Sequence, residues 1–327
     1  MNIQCHAVIG DGENSSTIEG ATVDVSAAAR FSLICNKVVS KYDTAIKISS
    51  CDDIFLRITN VESGSQNYIN AGAPVMLLEG SGSMYINQLS CTGYGSCLVH
   101  KDGIIGATIT GIYTYTVSDP DPSEPTVLLD GGTEDQELVL YFGELKNFNS
   151  NSGVAVRITE GKASLIGRSI FCTSGKSLDL TGEIVSAYFE CDEIISLTEG
   201  INIENSDQPI VIQANYIEGS DGNDAVVKCN DLCNLVLRNA KIKNTTESTS
   251  IGIYITDHNG DQLNELENLI IVTGTVEDQD YSIFRDGSNN IDIKNLLLFV
   301  KQPISNNITL LIGDENNFKY IVDPVIF

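Results

Sequence analysis

Apolar residues along the chain recur as short apolar-x-apolar triplets between polar turns, starting at Val23, Ile46, Met76, Leu98, Val127, Val156, Leu178, Ile201, Val226, Ile253, Ile283 and Leu310. Alternation over a few residues puts one apolar row on one side of an extended strand. Successive triplets lie about 26 residues apart on average, inside the range of stacked repeats. Most steps carry a second β-branched segment, such as Ile54–Ile58, Met84–Ile86, Thr108–Thr110, Leu138–Leu140, Pro209–Ile212, Leu235–Leu237, Leu269–Ile271 and Ile291–Ile293. Breakers such as Gly80-Ser81-Gly82-Ser83 and Asp130-Gly131-Gly132 separate the segments. No step has room for a crossover helix.

The pattern predicts an all-β fold, a single-stranded parallel β-helix (β-solenoid) of about twelve coils. Each coil would hydrogen-bond to the next at roughly 4.8 Å. Coils in such a stack touch only their neighbours, so both ends need covering. Residues 1–21 are read as the N-terminal cap, 22–318 as the β-helix and 319–327 as a C-terminal cap or tail. A leucine-rich horseshoe fits only Leu232-x-x-Leu235-x-Leu237 and does not recur. A jelly roll or stacked sandwich is the remaining alternative, because short alternating strands also build those folds.

Composition agrees with a narrow aliphatic core. Trp is absent, Phe and Tyr make up 7%, and 42% of the 327 residues are hydrophobic. The formal charge of −25 repels phosphate backbones, so nucleic acid is excluded as a partner. The same field opposes acidic polysaccharides and favours neutral glycans or proteins. Apolar runs such as Leu296 to Val300 fall far short of the roughly 20 residues a bilayer requires, so no membrane insertion is expected. The start, Met1-Asn2-Ile3-Gln4-Cys5-His6, shows no secretory signal. Nine cysteines form no CxxC pair and several sit in apolar runs, so they are expected to act as free small hydrophobes in a reducing compartment. No metal and no cofactor is expected.

With this period and turn chemistry the chain resembles the pectin-lyase-like right-handed β-helix superfamily, whose members include polysaccharide lyases, glycoside hydrolases and phage tailspikes. Gly10-Asp11-Gly12 followed by Ser15-Ser16-Thr17 resembles the opening of tailspike β-helices, with Glu13-Asn14-Ser15-Ser16 where those carry an acidic pair. The resemblance implies a right-handed coil. Polygalacturonase-like members accompany an Asp-Asp with Asn-Thr-Asp, Gly-His-Gly and Arg-Ile-Lys motifs. Here Asp52-Asp53 lacks the first two, and Arg157-Ile158-Thr159 only partly matches the third, so Asp52-Asp53 reads as a turn and no catalytic residue is assigned. Lyase chemistry would need an Arg or Lys base beside Ca²⁺-binding acids, and no such set stands out.

Two places could contact a ligand. Tyr113 and Tyr115 alternate onto one face and lead into the Pro-rich Val117–Pro125, where Asp119 and Asp121 sit; exposed aromatics beside acids suit sugars. A weaker alternative is the acidic turn of Asp257, His258 and Asp261. The leading expectation is a non-enzymatic structural or receptor- and glycan-binding β-helix of a phage or virus particle (a tail spike, fibre or capsid decoration), assembled as a homotrimer. Its partners would be its own copies, other virion proteins or a cell-surface glycan. It would be made in the cytoplasm and reside in the virion if phage-encoded. A glycan-cleaving enzyme on the same fold and a bacterial adhesion module are the alternatives.

Overall fold

A computed structural model describes residues 8–9, 17–19, 23–40, 44–63, 74–92, 95–115, 124–130, 136–149, 153–219, 225–244, 251–257, 263–272, 281–287, 290–300, 302–304 and 319–322. Among the described residues every regular element is a strand, and the pairings that join strands one coil apart are parallel. The chain is thus a parallel β-solenoid, with about eight turns rather than twelve. The chain divides into two compact units, Met1–Arg168 and Ser169–Phe327.

In the first unit one ladder runs through Val23, Ile46, Met76, Leu98, Val127 and Val156, each residue partnered with the next. These are the residues at which the alternating pattern starts afresh. A second ladder runs through Leu33, Leu56, Met84, Ala107 and Leu140, with Cys35, Ile58, Ile86, Ile109 and Phe142 beside it. All ten are buried, and each large side chain so covered contributes roughly 1.5–3 kcal/mol. A third ladder carries Val38, Val61, Leu89, Ile112 and Leu145. Two residues further along, the inward column is polar: Ser40, Ser63, Cys91, Thr114 and Asn147, all buried. Several strands, Ile46–Ser63 and Met76–Thr92 among them, pass through a corner of the coil without interruption. In Ile46–Ser63 the in-out alternation breaks at Ser49-Ser50 and again at the exposed Asp52-Asp53, which form a corner as expected.

Strands Val8–Ile9 and Thr17–Glu19 pair in parallel with Phe31–Ser40, and Lys319–Val322 pairs with Asn290–Val300. The segments read as caps therefore contribute rungs.

The second unit repeats the plan. Its first ladder is Leu178, Ile201, Val227, Ile253, Ile283 and Ile304. Val226 is one residue out of register; it is buried like Val227, so apolarity alone could not choose between them. Leu310 lies outside the described residues. The second ladder is Phe189, Ile212, Leu237, Leu266 and Ile293, so Leu266 takes the place expected of Leu269–Ile271. Ile271 instead joins Ile194, Ile217, Ile242 and Leu298 in the third. Cys35, Cys51, Cys91 and Cys97 are buried free thiols, Cys172 and Cys191 are buried as well, and burial pushes the Cys91 thiol up to about 12. Cys229 is disulfide-bonded, contrary to the expectation that all nine are free thiols.

Candidate functional site

Strand Ile104–Tyr115 alternates until Gly111 and Ile112, which are buried in succession, and there it turns from one face to the next. Past this corner Thr114 points inward, fully buried, and Tyr113 and Tyr115 point outward. Their rings stack at 6.2 Å between centroids. Phe148, from the next coil, extends the row: its ring lies 5.2 Å from that of Tyr115 at an interplanar angle of 10°. It is seated by its backbone N–H, which donates to the Thr114 carbonyl at 2.9 Å. Tyr115 and Phe148 remain 40% and 37% exposed, enough for both to present open ring surface.

Gly111 shapes the other end of this row. A Cβ there would meet the Tyr113 ring at about 2.5 Å, so the missing side chain is what lets the ring lie back across the strand. The Tyr113 hydroxyl then donates to Glu144 Oε2 at 3.2 Å, and Lys146 Nζ approaches the same oxygen at 2.9 Å. The Lys146 hydrogen bond holds the Glu144 carboxyl below its usual range, while burial, and then the Glu144 contact, push Tyr113 up. Three rings thus end in a carboxylate and an ammonium fixed before any ligand arrives. Apolar ring faces next to oriented polar groups match the two-sided surface of a sugar, and the preset geometry lowers the ordering cost of binding. Tyr85 and Tyr141, each about half exposed, flank Thr108 on adjacent rungs and put two more rings on the neighbouring face of this unit.

Of the residues singled out from sequence, Tyr113 and Tyr115 share one face as expected. Asp119 and Asp121 lie outside the described residues, as do His258 and Asp261. Asp257 ends the strand Ile251–Asp257, with its backbone paired to Gly287. Among the described residues no group of three or more His, Cys, Asp or Glu is placed to hold a metal.

The second unit holds a cleft of about 220 Å³ lined by Lys176, Glu199, Asn202, Glu204, Lys228 and Asn230, together with Gly200, Ile201 and Ala225. Asp179, Asn202, Lys228 and Tyr254, the middle residues of consecutive ladder triplets, form one outward column, and Thr181, Glu204 and Asn230, two residues on, form the next. Asp179 is nonetheless buried, because Lys176 Nζ closes over it at 3.0 Å and Asn202 Nδ2 donates to it at 3.1 Å. Asn230 Nδ2 donates in turn to Asn202 Oδ1 at 3.3 Å. The cleft wall is set by the corner residues. Ser177 donates from both N–H and hydroxyl to the Gly200 carbonyl, at 2.9 Å each, and a Cβ at Gly200 would overlap the Val226 carbonyl oxygen. Sequence reading missed this cleft. The signal was the middle residue of successive triplets, Leu178-Asp179-Leu180, Ile201-Asn202-Ile203 and Val227-Lys228-Cys229, which becomes a column only once the coils are aligned.

No family model matches the chain, and no curated protein or solved structure matches it.

Proposed function

We propose that this chain is a non-catalytic, glycan-binding β-solenoid that serves as a receptor-contacting component of a phage or virus particle and acts as a homotrimer. The observation that carries the binding reading is the pre-stacked row of Tyr113, Tyr115 and Phe148 with Glu144 and Lys146 at its end. The charge of −25 supports a neutral glycan over an acidic one. The virion assignment and the trimer rest on the resemblance of the Gly10-Asp11-Gly12 segment to tailspike openings. The test is binding of the full chain to an array of neutral oligosaccharides, repeated with Tyr115→Ala and Phe148→Ala. Retained glycans that both variants lose, on a chain whose mass in solution is three times that of the monomer, support the proposal. Binding indifferent to both variants, or none at all, overturns the binding site, and a monomeric mass overturns the trimer.

A second reading, cleavage of glycans, is favoured by one observation: Glu199 and Glu204 line the same cleft, with Asp179 beneath it. Glycoside hydrolysis requires two carboxylates facing one groove. Release of reducing ends from any arrayed oligosaccharide, abolished by Glu204→Gln, would replace the non-catalytic reading with this one.

A further inference from the structure

We infer that the cleft of the second unit is a binding site for a single ring of a neutral sugar, separate from the aromatic row of the first unit. This deepens the glycan-binding proposal and rests on it for the class of ligand, but the residues involved are different.

Four observations point the same way. Lys176 and Lys228 balance Glu199 and Glu204, so the lining carries no net formal charge although the molecule is strongly acidic. A local balance of this kind removes the barrier to a neutral guest and offers nothing to a phosphate or a uronate. The lining also offers ammonium, amide and carboxylate groups together. A hydroxyl both donates and accepts, so a ligand with many hydroxyls matches such a mixed set, whereas an apolar ligand would desolvate it and add no hydrogen bond. The volume of about 220 Å³ lies below the roughly 300–1,000 Å³ of drug-sized sites, which limits the occupant to about one ring. Finally, the floor is built before the ligand arrives. Asp179 holds Lys176 and Asn202, Asn202 holds Asn230, and Gly200 is fixed by Ser177.

The roles divide accordingly. Lys228, Asn230 and Glu204 touch the sugar hydroxyls. Asp179 is a positioning residue that acts through Lys176 and Asn202. The ladder places Tyr254 one rung beyond Lys228 in the same column, so a longer glycan would continue towards an aromatic ring.

The test is saturation-transfer NMR on the full chain with methyl glycosides of glucose, galactose, mannose and N-acetylglucosamine as probes, and glucuronate and glucosamine as charged controls. The expected result is saturable binding of at least one neutral glycoside, weakened about tenfold by Asn230→Ala and by Lys228→Ala through loss of one ligand hydrogen bond each. Both side chains are only partly buried, so the variants should stay folded, which their unfolding midpoints check, and Asn230→Asp offers a second variant of the same shape. Loss of the signal in Tyr115→Ala/Phe148→Ala instead would put the sugar on the first unit and overturn the cleft while leaving the glycan-binding proposal standing. Preference for glucuronate, or no saturable neutral binding, overturns the inference outright. Array binding that depends on Tyr115 while the cleft variants are silent separates failure of this site from failure of the broader reading.

Discussion

His100 sits inside the first ladder, in register with Leu78 and Leu129, where an apolar side chain would be expected. It is fully buried; Nε2 bonds to the Gly103 carbonyl at 3.0 Å, and Nδ1 has no hydrogen-bond partner. Desolvation by burial lowers its pKa from the ordinary value of 6.5. The native state therefore holds it neutral, while the unfolded chain takes up a proton once the pH falls below about 6.5. Its contribution to stability is complete above that pH and is lost as the pH drops from there towards the lowered native value. Urea unfolding at neutral pH and at mildly acidic pH should show a loss of stability that His100→Gln reduces. An unchanged pH slope in the variant would mean that carboxylate protonation alone sets the acid limit. The solitary histidine gave no sign in the sequence of being an inward rung, because its neighbours Val99 and Lys101 are not both polar.

The turns are where local chemistry fixes the strands. Asn239, Asn268 and Asn295 occupy one corner on three successive coils of the second unit, all left-handed, with φ of 58°, 55° and 53°. Their side chains form a ladder: Asn268 donates to Asn239 at 3.0 Å, and Asn295 to Asn268 at 2.8 Å. Both bonds are exposed and individually worth little, whereas left-handed backbone costs a residue with an ordinary Cβ about 1–2 kcal/mol. Asn268→Ala should therefore destabilise by about 1–2 kcal/mol and Asn268→Gly by clearly less, as read from urea midpoints. Equal losses would show that the side-chain ladder, and not the backbone conformation, matters at this corner. These elements also show how much could be read in advance. Ten of the twelve triplet starts lie in register on the first ladder of their unit, because a short apolar row after a polar turn can be seen in one coil. What eluded reading were relations between coils: Phe148 meeting Tyr115, Gly111 making room for Tyr113, and Asp179, Asn202 and Lys228 falling into one column. Each depends on the exact length of the intervening turn, which composition does not specify.

Charge is a property of the entire chain, with 44 acidic and 19 basic residues. The ion pairs offset little of it. Arg30–Asp53 is 81% and 52% exposed at its two side chains, and pairs of that kind are worth at most about 1 kcal/mol. Repulsion among the unpaired carboxylates therefore outweighs local attraction. Raising the salt from about 0.01 M to about 0.15 M contracts the screening length from about 30 Å to about 8 Å. The melting temperature should rise by several degrees over that range, and a fall would show that the ion pairs dominate. One further property follows from the ladders. The steps between rungs vary, from 22 residues between Met76 and Leu98 to 30 between Ile46 and Met76, yet Ile46, Met76 and Leu98 stay partnered rung to rung. Core spacing is thus independent of contour length. A coil can therefore gain or lose residues between its rungs without disturbing its neighbours, and its sequence can diversify over an unchanged interior.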